Sequence, residues 1–300
     1  MVFSCARTLA LLAVPLMTVA CIGAEIDEES EELVGEDQSA VETINGSLPN
    51  ALHMNALHMN ALHMNALHMN ALNPAALSSN SLGAQALTAI RDPGPNGVMS
   101  RELMRYLVGC SLRSDQTFSF SWTDSAGVAH PEVYRGELGI AHWWATGAIA
   151  NDTYTQRQIS ACVAARVNWY GVHVTISLRN AETASMGSSL AERQTYTVRE
   201  GAFWGNLFAS TPYVRACYSP SGVARARQLQ RDCAAGHVTV DPATGATTTQ
   251  QCGPMTIVGS CDAVCNRVDT NGGFYAGCLE NPATSAWVRT DVVVTSFLTP

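Results

Sequence analysis

QISACVAARVNWYGV, residues 158 to 172, carries a helical signal ahead of a chain whose later half reads as strands. Ile159, Cys162 and Val163 recur at the spacing of one helix face, which predicts a helix from Asp152 to Tyr170 with Gly171 at its C-terminal stop. A second helix is expected upstream. Ser100 can cap it, Glu102 sits in its first turn, and Leu103, Met104, Leu107, Val108 and Leu112 fall on one side. Cys110 and Cys162 both lie on or near these apolar faces, so a disulfide between them would staple the two helices.

Most other segments alternate with period two. In TFSFSW, Phe118, Phe120 and Trp122 share one side and Ser119 and Ser121 the other; HVTISL does the same with Val174, Ile176 and Leu178. Short strands are expected at Tyr213 to Tyr218 and Val238 to Val240. Asp241 to Gly245 then turns into ATTTQQ, and AWVRTDVVVTSFL, residues 286 to 298, reads as one long strand. Two early helices followed mainly by strands give an α+β class with an antiparallel sheet. RDPGPNGV, residues 91 to 98, is a breaker cluster and reads as the linker into a single body at residues 99–300.

Of ten cysteines, Cys5 and Cys21 lie near the N-terminus. The body holds Cys110, Cys162, Cys217, Cys233, Cys252, Cys261, Cys265 and Cys278. An even set in an exported chain reads as four disulfides, the last six cysteines bracing the strand-rich half. Sequence alone allows about 105 pairings of eight cysteines. The rival is a zinc site at Cys261-x-x-x-Cys265 with Cys252 and Cys278.

Export rests on the start of the chain. Arg7 precedes LALLAVPLMTVA, an apolar run too short to span a bilayer, ending at Cys21. This resembles a bacterial lipoprotein signal, although Thr18 stands where leucine is usual. The resemblance implies removal of residues 1–20, lipidation of Cys21 and a membrane partner through that lipid; an ordinary secretory signal or an uncleaved anchor are the alternatives. The acidic tether at 21–45 follows. Nine of the 25 acids lie between Glu25 and Glu42, and one of the 17 basic residues is Arg7, so sixteen of each remain beyond residue 42. The body is therefore neutral and the net charge of −8 belongs to the N-terminal region. Without a basic stripe, nucleic acid is not an expected partner. The chain has no lysine, which excludes Schiff-base, P-loop, kinase and Ser-x-x-Lys chemistry.

Residues 46–90 hold ALHMN four times, and leucines continue every fifth residue from Leu52 to Leu87. Five residues advance a helix by about 500°, so the leucines never form a stripe, and in a strand they alternate faces. The tract reads as a stalk. It also resembles the pentapeptide-repeat family, which implies a four-sided β-helix with buried central leucines. The family favours a small residue two before the leucine and Asp or Asn one before it; here Asn55, Asn60 and Asn65 take the first place and alanines the second. A third reading is chemical: His53, Met54, His58, Met59, His63, Met64, His68 and Met69 pair imidazole with thioether, a donor set suited to copper(I).

For binding or catalysis the candidates are Glu137, His142, Trp143 and Trp144 in YRGELGIAHWW. Aromatic faces there could stack on sugar rings, or serve simply as core. Asp269, Asn271 and Glu280 mimic a calcium loop, but Phe274 replaces its glycine, so a plain turn is expected. RELMRYLVGC, WTDSAGVAHPEVYRGELG and QISACVAARVNWYGV, with Cys21 and the repeat, resemble bacterial surface lipoproteins that couple tandem repeats to a cysteine-rich domain. The expectation is a lipid-anchored, outer-membrane or cell-surface protein that binds a surface glycan or protein, leaning away from catalysis. A secreted hydrolase near His142 and Glu137, or copper binding by the repeat, are the alternatives.

Overall fold

The computed structural model describes residues 52–53, 84–145, 152–209, 211–281, 283 and 289–300. The signal, Cys21, the acidic tether and most of the repeat, including Met54, His58, Met59, His63, Met64, His68 and Met69, lie outside them, and of His53 only the backbone is described. In chain order the elements are β1 (Leu52–His53), α1 (Ala84–Arg91), α2 (Pro95–Ser111), β2 (Thr117–Thr123), β3 (Ala129–Arg135), a 3-10 turn (His142–Ala145), α3 (Thr153–Ala165), β4 (Val167–Asn168) and β5 (Ser177–Arg179). Then come α4 (Thr183–Met186), α5 (Leu190–Thr195), β6 (Val198–Asn206), β7 (Tyr213–Tyr218), α6 (Val223–Gln228), β8 (His237–Val240), β9 (Thr247–Gln250), β10 (Met255–Ser260), α7 (Cys261–Val264), β11 (Cys265–Arg267), β12 (Tyr275–Leu279), β13 (Arg289–Thr290) and β14 (Val294–Leu298).

The class is α+β, with seven helices among the described residues rather than two. A five-stranded sheet in the order β10-β7-β6-β14-β5 forms its centre, antiparallel throughout except for the parallel edge pair β10–β7. One face packs on α3 and the main core, where Leu107, Ile159, Val163, Phe203 and Ala216 are fully buried. The opposite face buries Trp204 and Tyr275 with Cys217, Cys261 and Cys278 against the small sheet β11-β12-β13. A buried ion pair crosses the first core: Arg231 Nη2 lies 2.8 Å from Glu200, both side chains are 1% exposed, Ser296 donates to Glu200, and Arg231 donates to Ala165 O.

The cysteines pair as 110–162, 217–261, 233–252 and 265–278. The first joins α2 to α3, as their apolar faces imply, and the rest brace the strand-rich half. The zinc grouping is overturned, since Cys252 bonds Cys233, at the head of the β8–β9 hairpin.

Helix α2 starts at Pro95, five residues before Ser100. Proline suits the first helical turn, where its missing N–H costs nothing, and Asp92 Oδ1 accepts from Gly94 N. Gly97 is required there, because a Cβ would lie 1.7 Å from Asp92 O. The breaker cluster is thus the tight corner between α1 and α2, and Ile90, in the segment read as stalk, is buried in the core. Helix α3, capped by Asp152, ends at Ala165, five residues before Tyr170, because Val167 and Asn168 turn extended. The expected C-terminal long strand is split. Thr290 Oγ1 accepts from Val292 N, which breaks the chain between β13 in the small sheet and β14 in the central one. Among the described residues, no helix is long and apolar enough to cross a membrane. The disulfide-rich body is compatible with export.

Candidate functional site

The segment singled out in sequence is a strap. Glu137 N and Leu138 N donate to Gly109 O, Ile140 N to Cys110 O, Ala141 N to Ser111 O and Gly139 N to Leu112 O. These are the carbonyls that a helix C-terminus leaves without partners, so residues 137–141 cap α2. The Glu137 carboxylate sits 2.9 Å from the guanidinium of buried Arg166, and the pair closes over Gly109, where a Cβ would come within 2.9 Å of both. His142 is exposed, its Nδ1 3.2 Å from Gly139 O and its carbonyl accepting from Gln116. Trp143 is partly buried against the core, and the side chain of Trp144 lies outside the described residues. Glu137 and His142 are held by different partners and do not converge. The calcium-like loop is the expected turn: Asn271, in left-handed backbone, accepts from Ser188 N and donates to Asn180 O and Met186 O.

The structure instead assembles two clusters that sequence spacing did not suggest. On the β2–β3 hairpin, Trp122 and His130 face each other across the ladder and stack at 4.4 Å. His130 Nε2 lies 2.9 Å from Asp124, and Trp122 Nε1 donates to Glu132. Arg101 covers the Trp122 ring at 3.8 Å while donating to Ile90 O and Asp92 O. His130 and Asp124 stay partly exposed, at 41% and 29% of their side chains, and the cluster's visible work is to tie the hairpin to the α1–α2 corner through Arg101.

The second cluster is seated more deeply, with the side chains of His237 17% and Asp232 5% exposed, and reaches the surface at Tyr170. After α3, Asn168 shapes a loop: its amide donates to Val172 O and its side-chain carbonyl accepts from Tyr170 N. Gly171 supplies the left-handed backbone within that loop, φ 66°, instead of ending a helix. The loop presents Trp169 and Tyr170. Trp169 stacks on His237 at 4.3 Å, and Tyr170 meets the same imidazole edge-on at 5.5 Å. Asp232 Oδ2 lies 2.7 Å from His237 Nδ1 and accepts from Tyr170 OH at 3.2 Å. Asp232 is buried, fixed between Arg231 of the core ion pair and Cys233 of a disulfide; its other oxygen, also buried, has no hydrogen-bond partner among the described residues. Tyr170 stays 40% exposed, and burial reinforced by Asp232 raises its phenol above the ordinary range.

Chemically, this is an imidazole oriented by a carboxylate, flanked by two aromatic rings and a phenol at the surface. Such a set can stack on a flat ligand face and offer hydrogen-bonding groups at its edge. The nitrogen opposite Nδ1 has no partner among the described residues, so one nitrogen of an oriented ring remains for a ligand or a proton. The cluster draws on residues more than 60 positions apart, and the one local sign of it was the adjacent pair Trp169-Tyr170 before Gly171. No protein-family model matches the chain, and no curated protein or solved structure is significantly similar to it.

Proposed function

We propose that the protein is an exported, non-enzymatic surface-binding protein. It would be anchored through lipid on Cys21, with the stapled body displayed on the acidic tether and repeat, and Trp169, Tyr170, Asp232 and His237 as its contact point for a surface glycan. The observation that carries this reading is the complete use of all eight body cysteines in four disulfides, a pattern of oxidising compartments. The aromatic and carboxylate composition of this cluster, which reaches the surface at Tyr170, supports a saccharide as ligand.

The test is binding of the full-length chain to a panel of neutral and acidic oligosaccharides, together with surface labelling of intact expressing cells. The expected result is labelling that is lost with Cys21→Ser, and glycan binding that drops at least about tenfold with Tyr170→Ala or His237→Ala, a change of about 1.4 kcal/mol. Binding indifferent to both variants would sink the contact assignment, and a chain that stays in the cytoplasm would sink the export. A hydrolase is the second reading, favoured by the Asp232-oriented imidazole. Turnover of any panel member, abolished by His237→Ala, would replace binding with catalysis.

A further inference from the structure

Two of the four disulfides are not independent. Cys217–Cys261 joins β7 to the start of α7, and Cys265–Cys278 joins β11 to β12. Cys261 and Cys265 bracket the four-residue helix α7, which brings the two bridges side by side. Across them, Cys217 Sγ and Cys265 Sγ lie 3.5 Å apart, and the sulfurs of Cys217, Cys265 and Cys278 all fall within 4.8 Å of one another. Cys217, Cys261 and Cys278 are fully buried, while Cys265 is partly exposed at the rim of the small sheet, beside exposed Asn266 and Arg267. Cys265 is therefore the member of the set nearest to solvent, and its sulfur touches the disulfide behind it.

We propose that Cys217, Cys261, Cys265 and Cys278 form one thiol–disulfide exchange site that accepts electrons from an external dithiol at Cys265 and passes the bond change inward. The dithiol's thiolate attacks Cys265 Sγ, the Cys265–Cys278 bond breaks, and Cys278 leaves as a thiolate and takes up a proton. The second thiol of the reductant then resolves the mixed disulfide; the dithiol departs oxidised and Cys265 is left as thiolate. Cys265 Sγ next attacks Cys217 Sγ, forming Cys217–Cys265 while the Cys217–Cys261 bond breaks. The electron pair passes to Cys261 Sγ, which is protonated. One disulfide has been reduced by one dithiol, and the surviving bond now ties β11 to β7.

The experiment is limiting reduction of the native full-length chain with dithiothreitol, followed by acid quench, alkylation and peptide mapping. The expected product carries a Cys217–Cys265 cross-link, alkyl groups on Cys261 and Cys278, and intact Cys110–Cys162 and Cys233–Cys252 bridges. A parallel arm with a thioredoxin-type protein dithiol shows whether the site also admits a macromolecular donor. The same product in both arms assigns both donors, and product with dithiothreitol alone assigns a small one. Alkylation confined to Cys265 and Cys278 with Cys217–Cys261 intact, or loss of all four bridges together, overturns the proposal. A Cys278→Ser variant gives a second reading without any reductant, because it leaves Cys265 unpaired from synthesis. Cys217–Cys265 linkage with Cys261 alkylated is expected, and an undisturbed Cys217–Cys261 bridge overturns it. Where that variant does not fold, the wild-type titration decides alone.

Discussion

Trp122, His130 and Asp124 on the hairpin repeat the chemistry of Trp169, His237 and Asp232: in each, an imidazole stacked on an indole at about 4.4 Å is held by a carboxylate. Their surroundings differ. The hairpin tryptophan gives its N–H to Glu132 within the hairpin, and Arg101 over its ring ties β2–β3 to the α1–α2 corner. In the loop cluster the carboxylate is the buried partner, backed by an ion pair and a disulfide, and the outward edge is Tyr170. The same three residue types make a brace where an arginine ties the indole to a neighbouring corner, and a presentable surface where the support lies beneath them.

The sharpest way to break this contrast is to remove the support. Arg231→Met leaves Glu200 charged, buried and without its guanidinium, and is expected to cost about 3–5 kcal/mol in chemical denaturation. Glu200→Leu added to it should recover most of that loss, because the pair's desolvation penalty is removed with the pair. If the single variant unfolds at the wild-type midpoint, Asp232 does not depend on the ion pair beside it.

The next effect separates brace from surface. Arg101→Ala takes away two charge-assisted bonds to backbone carbonyls and the cover over Trp122, and should cost about 2–3 kcal/mol with no change in ligand binding. Tyr170→Ala, at a residue 40% exposed, should cost less than about 1 kcal/mol while weakening binding. The reverse ordering, measured by midpoint shifts on both variants, would exchange the two roles.

How far sequence reached follows the same division between local and distant. The Cys110–Cys162 staple was legible because each cysteine lies with apolar residues of its own helix, and two amphipathic helices of one body have to bury those faces. The hairpin β8–β9 was legible from Asp241 to Gly245, whose Asp side chain accepts from Ala243 N as turn chemistry requires. The start of α2 was not, because Pro95 and Gly97 read as breakers until a tertiary contact, Arg101 to Ile90 O and Asp92 O, fixes the corner. Glu137 and His142 looked like a site because they are five residues apart. What decides their roles is Arg166 for Glu137, and Gly139 and Gln116 for His142, and Arg166 is reached only through the fold. The loop cluster failed for the same reason in reverse: Tyr170, Asp232 and His237 share no motif and meet only through the tertiary fold.

The smallest expected effect is one of pH, and it has opposite signs in the two clusters. Asp124 accepts from His130 and from the backbone at Val128 and Ala126, and these bonds hold its carboxyl below the ordinary value. The folded state then binds its proton less readily than the unfolded chain, so this contribution is full above the unfolded carboxylate pKa, about 4, and is lost as pH falls through the folded value. Tyr170 runs the other way. Burial, then Asp232, raises its phenol, so the folded state keeps a proton that the unfolded chain gives up near pH 10, and the contribution is present below that pH and lost as pH rises above it. Asp124→Asn should flatten only the acid limb of the stability curve, and Tyr170→Phe only the alkaline limb. Both groups are exposed enough for water to screen them, so the slopes change by small amounts and are best read as differences between variant and wild type at each pH. Should both substitutions act on the same limb, the two clusters would share one electrostatic environment, and the distinction between a brace and a binding surface would have no chemical basis.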